Sequence, residues 1–375
     1  MKKTLIIITA ITLLFTACNA DATSGLFRTA TQAREAIDIQ YKQILGIDSF
    51  ETLYFRTVRG IFSLEKGKSA SNAQLIVASK EGNIVGETAL TTDGKILYKT
   101  SKSDVTIYEY TSGGAPTAYT PTDSKITLTR LMPNGKVVAR KEANSGDFWV
   151  TDIINFPNDP IADEKVNLVA GYDYYGLYTP SNYKDPTSNQ DFLLSFINSD
   201  SEYAHHYFNG SALEPIDDSI GPIANYAKVG DNLYVLSTKG ELFLLKSGSY
   251  ESADNLDEST LNFKQYGLFY PIEDAVNNKV HFITSPDVSD SMTVFTVDKS
   301  NPQKSTTITT NGIKFGYAAT LKDTHIVSSL QLTDDSFLIA TEKHGMYSVK
   351  VDPEKVNKND SSNVVKISKA EEYEF

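Results

Sequence analysis

The chain has 375 residues, a formal net charge of −12 at pH 7 and a single cysteine. The acidic balance argues against a surface for nucleic acid or anionic lipid, because neutralising phosphates requires clustered Lys and Arg. All six arginines lie at or before Arg140, and no basic stripe follows it. One cysteine excludes an intramolecular disulfide, so a hydrophobic core alone must hold the fold, which a chain of this length allows.

The first residues have the pattern of an export signal. Met1–Lys3 is a short positive segment, and Thr4–Phe15 is uncharged and apolar. That apolar segment would rise only about 18 Å as a helix, whereas a hydrocarbon core is about 30 Å thick. The pattern therefore predicts the hydrophobic region of a signal peptide and not a permanent membrane span.

The signal ends in the run Leu-Phe-Thr-Ala-Cys, residues 14–18. This run resembles the bacterial lipobox, and the resemblance implies cleavage before Cys18 and lipidation of that cysteine. It implies residues 1–17 as signal peptide, residues 18–28 as a lipidated tether, and a mature protein anchored to the cell membrane or outer membrane, periplasmic or surface-exposed. The alternative is an ordinary secretory signal cut after Ala17 or Ala20, with Cys18 incidental.

A helix is predicted over residues 29–47. Thr29 and Gln32 suit a capping box, and Gly46 suits a C-terminal cap. Apolar side chains recur on one helical face, at Ala33, Ile37, Tyr41 and Ile44. We expect this helix to seal one end of the domain, since amphipathic helices usually pack on their own core; the alternative is a partner-binding helix.

A strand–turn–strand pattern then repeats along the chain, with its glycines at Gly82, Gly135, Gly240 and Gly345. The spacings of 53, 105 and 105 residues equal one, two and two units of about 52. Runs such as Leu75–Ala78 and Phe337–Ala340 are apolar at consecutive positions, which indicates strands buried on both faces.

These features predict an all-β fold, a β-propeller over residues 50–370. The repeat gives about six blades, or seven if the irregular middle of the chain supplies another. We expect the segment Leu53–Leu64 to complete the last blade and so close the ring. No named propeller repeat signature occurs in the sequence.

No catalytic motif stands out, and we predict no catalytic residue, no metal site and no cofactor. His205 and His206 lie near acidic residues, but neighbours on a strand point to opposite faces and cannot share one metal ion. The acidic pairs fall in Asn-, Asp- and Ser-rich stretches typical of exposed turns.

The most unusual stretch is rich in tyrosine, and its five members are the candidate binding surface: Tyr172, Tyr174, Tyr175, Tyr178 and Tyr183. Tyrosine offers rigid, amphipathic contact area to a protein or glycan partner. We expect it to act with the irregular connections 155–166, 180–190 and 209–223 on one rim. The alternative is that Tyr172, Tyr174 and Tyr178 alternate along a strand and pack between blades, with their hydroxyls at the rim.

The sequence thus predicts a membrane-anchored, non-catalytic binding or scaffold lipoprotein of the bacterial cell envelope, with an unknown protein or glycan partner and no nucleic acid. Two alternatives remain: a propeller enzyme acting on glycans, and a surface adhesin or solute-binding lipoprotein.

Overall fold

The structure is a computed structural model. It describes residues 40–369 apart from the following: 69–71, 92, 123–125, 133–134, 142–146, 154–163, 168–170, 180–190, 210–212, 218, 247–248, 288–291, 310–313, 316–318, 321–325, 334–335, 343–344 and 359–364. Residues 1–28, which hold the predicted signal, Cys18 and the tether, therefore lie outside the described part.

The described residues form seven four-stranded antiparallel sheets, each made of four consecutive strands. We call them blades 1 to 7. Blades 1 to 4 contain β1 (Tyr41–Ile47), β2 (Thr52–Thr57), β3 (Gly60–Glu65) and β4 (Gln74–Ala78); β5 (Val85–Leu90), β6 (Ile96–Thr100), β7 (Ser103–Tyr110) and β8 (Thr117–Tyr119); β9 (Ile126–Leu131), β10 (Lys136–Lys141), β11 (Asp147–Asp152) and β12 (Glu164–Asn167); and β13 (Tyr172–Tyr178), β14 (Phe192–Asn198), β15 (Tyr203–Phe208) and β16 (Leu213–Ile216).

Blades 5 to 7 continue the pattern. They contain β17 (Ile223–Val229), β18 (Asn232–Ser237), β19 (Glu241–Lys246) and β20 (Ser249–Glu258); β21 (Phe269–Asp274), β22 (Lys279–Thr284), β23 (Thr293–Asp298) and β24 (Asn301–Thr309); and β27 (Ile326–Gln331), β28 (Ser336–Thr341), β29 (Gly345–Val351) and β30 (Val365–Lys369). A two-stranded sheet, β25 (Lys314–Phe315) with β26 (Ala319–Thr320), lies in the connection between blades 6 and 7, and a short helix, α1 (Pro353–Asn357), lies between β29 and β30.

The blades form a closed ring, so the fold is the predicted β-propeller. It has seven blades, the larger of the two predicted numbers. First strands contact first strands of neighbouring blades, as β1 does with β5 and β27, and fourth strands contact fourth strands, as β16 does with β20. The first strand of each blade is therefore innermost. Blade 1 has its own four strands and packs directly on blade 7, so the expected completion of the last blade by Leu53–Leu64 is wrong.

Each of the seven blade interfaces has its own hydrophobic core. Strand β19 shows how the sequence produces this arrangement. Leu242 and Leu244 belong to the core between blades 5 and 6, whereas Phe243 and Leu245 belong to the core between blades 4 and 5. Because alternate side chains point to opposite faces of a strand, a consecutive apolar run serves two interfaces.

The predicted helix over residues 29–47 is wrong where the structure tests it, because Tyr41–Ile47 is strand β1; residues 29–39 lie outside the described part. Register shifts between Tyr41 and Gln43 and between Ile44 and Gly46 insert extra residues into the strand. Tyr41 and Ile44 therefore face blade 7 at a spacing of three, while Leu45 faces blade 2. A bulged strand buried on both faces thus imitates helical spacing. Within the described residues, no helix has the length and apolar character needed to cross a membrane.

The glycine repeat is half confirmed. Gly240 lies between the second and third strands of blade 5, and Gly345 is the first residue of the third strand of blade 7, two blades later as the spacing requires. Gly135 lies instead between the first and second strands of blade 3, and Gly82 lies in the connection from blade 1 to blade 2. All four glycines have positive φ values. What they share is therefore a backbone conformation that favours glycine, and not the same position within a blade.

Candidate functional site: the central pocket

The innermost strands surround a pocket of about 400 Å³. This volume is in the range of small-molecule sites in proteins. Its walls come from the first strands of six blades and from the segment just before β21: Lys42, Gln43, Ile44, Leu45, Glu87, Thr88, Leu131, Leu177, Thr179, Asn225, Tyr266, Gly267, Leu268, Ile326, Val327, Ser328, Ser329 and Leu330. Because so many blades contribute, no short stretch of sequence defines this site.

Backbone and side-chain hydrogen bonds join neighbouring innermost strands around the pocket. Thr88 donates through its hydroxyl to Gln43 Oε1 at 2.8 Å, and Gln43 Nε2 donates to the carbonyl of Thr88 at 3.1 Å. The amide of Ile44 donates to Ser328 Oγ at 3.0 Å across the interface of blades 1 and 7. These bonds fix the polar part of the wall, as a pre-formed binding site requires.

Glu87 is the carboxylate in the pocket wall. A register shift between Val85 and Thr88 places it in a bulge of β5. Its Oε1 accepts a hydrogen bond of 2.8 Å from the backbone amide of Leu131 in blade 3. Burial raises the pKa of Glu87 above its usual range, against the opposing effect of nearby cations.

Three cations surround Glu87. Arg130 Nη1 lies 3.9 Å and Lys99 Nζ lies 4.0 Å from Glu87 Oε2, and Arg56 of blade 1 interacts with the same carboxylate electrostatically. Lys99 and Arg130 also donate to the carbonyl of Thr129, at 2.7 and 3.0 Å. Burial lowers the pKa of Lys99 and of Arg56, and Glu87 opposes that effect in both.

Tyr266 also lines the pocket. It has a φ of 60°, unusual for a bulky residue, and its amide donates to the carbonyl of Ala224 at 2.8 Å. Its hydroxyl lies 2.9 Å from where a Cβ atom on Gly176 would be. Only glycine at position 176 therefore lets Tyr266 approach β13 so closely.

Four of the five tyrosines of the run, those at positions 172, 174, 175 and 178, lie on the innermost strand of blade 4. Tyr178 is 1% exposed; its hydroxyl donates to the carbonyl of Ile223 at 2.9 Å and accepts from Gln265 Nε2 at 2.8 Å. Tyr172 and Tyr174 are half-buried against the core between blades 3 and 4.

The two remaining members of the run differ from these. Tyr175 is half-buried and packs edge-on against Tyr203. Tyr183 lies outside the described residues, as do most of the connections 155–166 and 180–190. Packing between blades therefore accounts for Tyr178, and partner binding by the rest of the run stays a prediction.

His205 and His206 contribute to the packing of blade 4. His205, 1% exposed, bonds through Nδ1 to Ser195 Oγ at 2.7 Å and through Nε2 to the carbonyl of Ile220 at 3.0 Å. The Ser195 hydroxyl donates to Nδ1 of His205, and the Nε2–H of His205 donates to the carbonyl of Ile220. His206 packs edge-on against Phe196, so the two histidines point apart as expected. In the described part of the chain, no three acidic, histidine or cysteine side chains cluster as metal ligands do.

Sequence reasoning missed the cluster of Arg56, Glu87, Lys99 and Arg130, hereafter the cationic cluster. Its members come from three blades and from positions up to 74 residues apart, so no local motif marks it. One signal was present: all arginines lie in the first 140 residues of an acidic chain. Two of these arginines meet at one carboxylate.

Comparison with known proteins supports the fold alone. No family model and no curated protein matches the chain. Among solved structures, YCF48 from Cyanidioschyzon merolae is similar over 83% of this chain and 95% of its own, with 10% identity and a TM-score of 0.52. A chain in the complex of KlAtg21 with the coiled-coil of AgAtg16 is similar over 88% and 98%, with 9% identity and a TM-score of 0.51.

Proposed function

We propose that this chain is a lipid-anchored, non-catalytic binding protein of the bacterial cell envelope, and that the central pocket receives part of its partner. The observation that carries the proposal is the pocket itself. It is a concave site of about 400 Å³, with apolar side chains and a few fixed polar groups. Such lining is typical of sites that bind without reacting as well as of active sites.

The charges in the pocket favour binding over glycan hydrolysis. Glycosidases of the common type use two carboxylates, about 5–10 Å apart. Glu87 is the one carboxylate among the described residues that line this pocket, and a backbone amide and nearby cations already engage it. One similar propeller is seen in complex with a coiled-coil, so protein binding is compatible with this fold.

The lipid anchor rests on the sequence at Cys18. Twenty-two residues separate Cys18 from Tyr41, the first residue of the ring. Fully extended, such a segment spans at most about 75 Å. A tether of that reach would hold the propeller close to a membrane while leaving the pocket open to a partner.

Replacing the lipidated residue tests the anchor. We expect Cys18→Ser to move the protein from the membrane fraction to the soluble phase, or to leave an unprocessed precursor of higher mass. A matched Ser24→Ala change in the same segment should leave fractionation unchanged. Full membrane retention of Cys18→Ser at the normal mature mass would refute lipidation.

Site-specific crosslinking in intact cells tests the pocket. A photoreactive amino acid at Thr179 or Ser329 lies in the pocket wall on blade 4 or blade 7, whereas one at Val276 lies on a turn tip that is 94% exposed. We expect one adduct of the same mass from both pocket positions and none from Val276. Absence of an adduct at both pocket positions would refute partner binding there. Protease accessibility on intact cells separates periplasmic binding from surface adhesion.

A further inference from the structure

We propose that the cationic cluster makes the pocket an anion-binding site, which takes a carboxylate or phosphate group of the bound partner. This rests on the proposed function, because it names the chemistry of the group that the pocket receives. The inference comes from the cations around Glu87, which lines the pocket, and from how exposed these cations are.

The first step is the balance of charge. Arg56, Lys99 and Arg130 are three cations, and Glu87 is the carboxylate that they share. Asp104 also acts on Lys99, but its side chain is exposed and therefore screened by water. The cluster thus keeps an excess of positive charge in a chain whose net charge is −12.

The second step is access. Lys99 is 8% exposed, whereas the side chains of Arg130 and Glu87 are 30% and 28% exposed. Arg130 does not line the pocket itself, but it lies 3.9 Å from Glu87, which does, and it is more exposed than Lys99. It is therefore better placed than Lys99 to meet a ligand beside Glu87. Among the described residues that line the pocket, the cation is Lys42; its Nζ lies 3.8 Å from Glu342, and both side chains are about one-third exposed.

The third step is orientation. The guanidinium of Arg130 lies 4.9 Å from the ring centroid of Tyr174, while its Nη1 donates to the carbonyl of Thr129. A stacked, tethered guanidinium is pre-organised, and its planar set of donors matches carboxylate and phosphate. Glu87 then acts as the protein's own counter-ion to these cations.

Neutralising Glu87 distinguishes an anion-binding site from a charge cluster that only stabilises the fold. A cluster that serves stability alone loses stability when its carboxylate is neutralised, and gains no affinity for anions. An anion site with a resident carboxylate binds anions more tightly once that negative charge is removed.

Calorimetric titration tests this with succinate in one arm and inorganic phosphate in the other, at an ionic strength held constant with sodium chloride. We expect at least one of the two to bind the full chain. Glu87→Gln should bind it about three- to tenfold more tightly, and Arg130→Gln at least tenfold more weakly. Arg59→Gln, at an exposed position, should bind within twofold of the unaltered chain.

The outcomes are separable. Binding of succinate alone assigns a carboxylate, and binding of phosphate alone assigns a phosphate. If neither binds the unaltered chain or Glu87→Gln, or if Arg130→Gln binds equally well, the anion site is refuted. If Arg130→Gln does not fold, Lys42→Gln serves the same comparison, with at least threefold weaker binding expected. Crosslinking from Thr179 and Ser329 that persists without anion binding refutes this inference alone and leaves the proposed function standing.

Discussion

The hydroxyl of Tyr266 lies 2.9 Å from the position that a Cβ atom on Gly176 would occupy, with Gln265 Nε2 at 2.8 Å. We therefore expect Gly176→Ala to push both side chains away from β13 and to lower the free energy of unfolding by about 1–3 kcal/mol. Gly221→Ala is the matched control, because no atom lies within 4 Å of its Cβ position. Urea unfolding measures both. Equal stability of the two variants would contradict the close approach of Tyr266.

The turn glycines should differ in their tolerance of asparagine. Gly82 has a φ of 69° and open space at its Cβ position, so Gly82→Asn should cost less than about 1 kcal/mol, since asparagine adopts this conformation readily. At Gly240 a Cβ atom would lie 2.6 Å from the carbonyl oxygen of Leu261. Gly240→Asn should cost about 3 kcal/mol or more. Thermal unfolding compares the two, and similar losses would contradict the assigned turn geometries.

Blade 4 should make stability depend on pH. Burial lowers the pKa of His206 to about 4 and also lowers the pKa of His205. Both are therefore neutral when folded but take up protons near pH 6.5 when unfolded. Their stabilisation is full above pH 6.5 and is lost as the pH falls toward 4.

The expected loss from His206 is about 1–3 kcal/mol between pH 7 and pH 4. Urea unfolding at several pH values measures it, and His206→Gln is the test variant. That variant should flatten the curve in this interval while a change at exposed Lys239 leaves it as it was. An unchanged slope in His206→Gln would assign the acid sensitivity to other groups.

Helix α1 should fasten blade 7 to blade 6 through Asn357. Its Nδ2 donates to Asp274 Oδ2 at 2.6 Å, and its Oδ1 accepts from Lys279 Nζ at 2.9 Å. Burial alone would raise the pKa of Asp274, but hydrogen bonds from Asn277 and Asn357 outweigh it and lower the value to about 2.

Asn357→Ala should therefore destabilise the protein by about 1–3 kcal/mol, because it leaves buried polar groups of blade 6 with fewer partners. Glu354→Ala, in the same helix, changes an exposed ion pair with Lys358 and should cost less than about 0.5 kcal/mol. Thermal unfolding compares them. If Glu354→Ala loses as much stability as Asn357→Ala, then loss of helix α1, and not loss of the hydrogen bonds of Asn357, causes the destabilisation.

The fold class could be predicted from the sequence because each blade buries strands on both faces. The consecutive apolar run Phe337–Ala340 reveals that burial without any knowledge of partners. The same interpretation of Leu75–Ala78 is wrong, because this run lies in β4, the outermost strand of blade 1, and leaves Leu75 43% exposed. The same double burial misled at Tyr41–Ile47, where bulges gave β1 an apparent helical period. Local patterns therefore predicted the class of fold better than they predicted individual elements and the faces on which their side chains lie.

Little of the candidate site could be predicted from the sequence. Tyr178 packs between blades, as one of the two interpretations of the tyrosine run expects. Strict alternation would place it on the same face as Tyr172 and Tyr174, but a register shift between Tyr174 and Gly176 turns it to the other interface of blade 4. Glu87 and Arg130 gave no such pattern, since their meeting depends on how blades 2 and 3 pack. Sites built across a ring depend on contacts at long sequence separation, which one sequence does not display.

The direct contact between blades 1 and 7 has a consequence for how the protein is made. Its core joins Tyr41 and Phe55 to Leu338 and Met346, nearly 300 residues later in the chain. Translation delivers blade 1 first, and one apolar face of that blade has no partner until blade 7 emerges. Such long-range closure slows folding and favours association between unfinished chains. Nascent blade 1 is therefore where a chaperone would have most to protect.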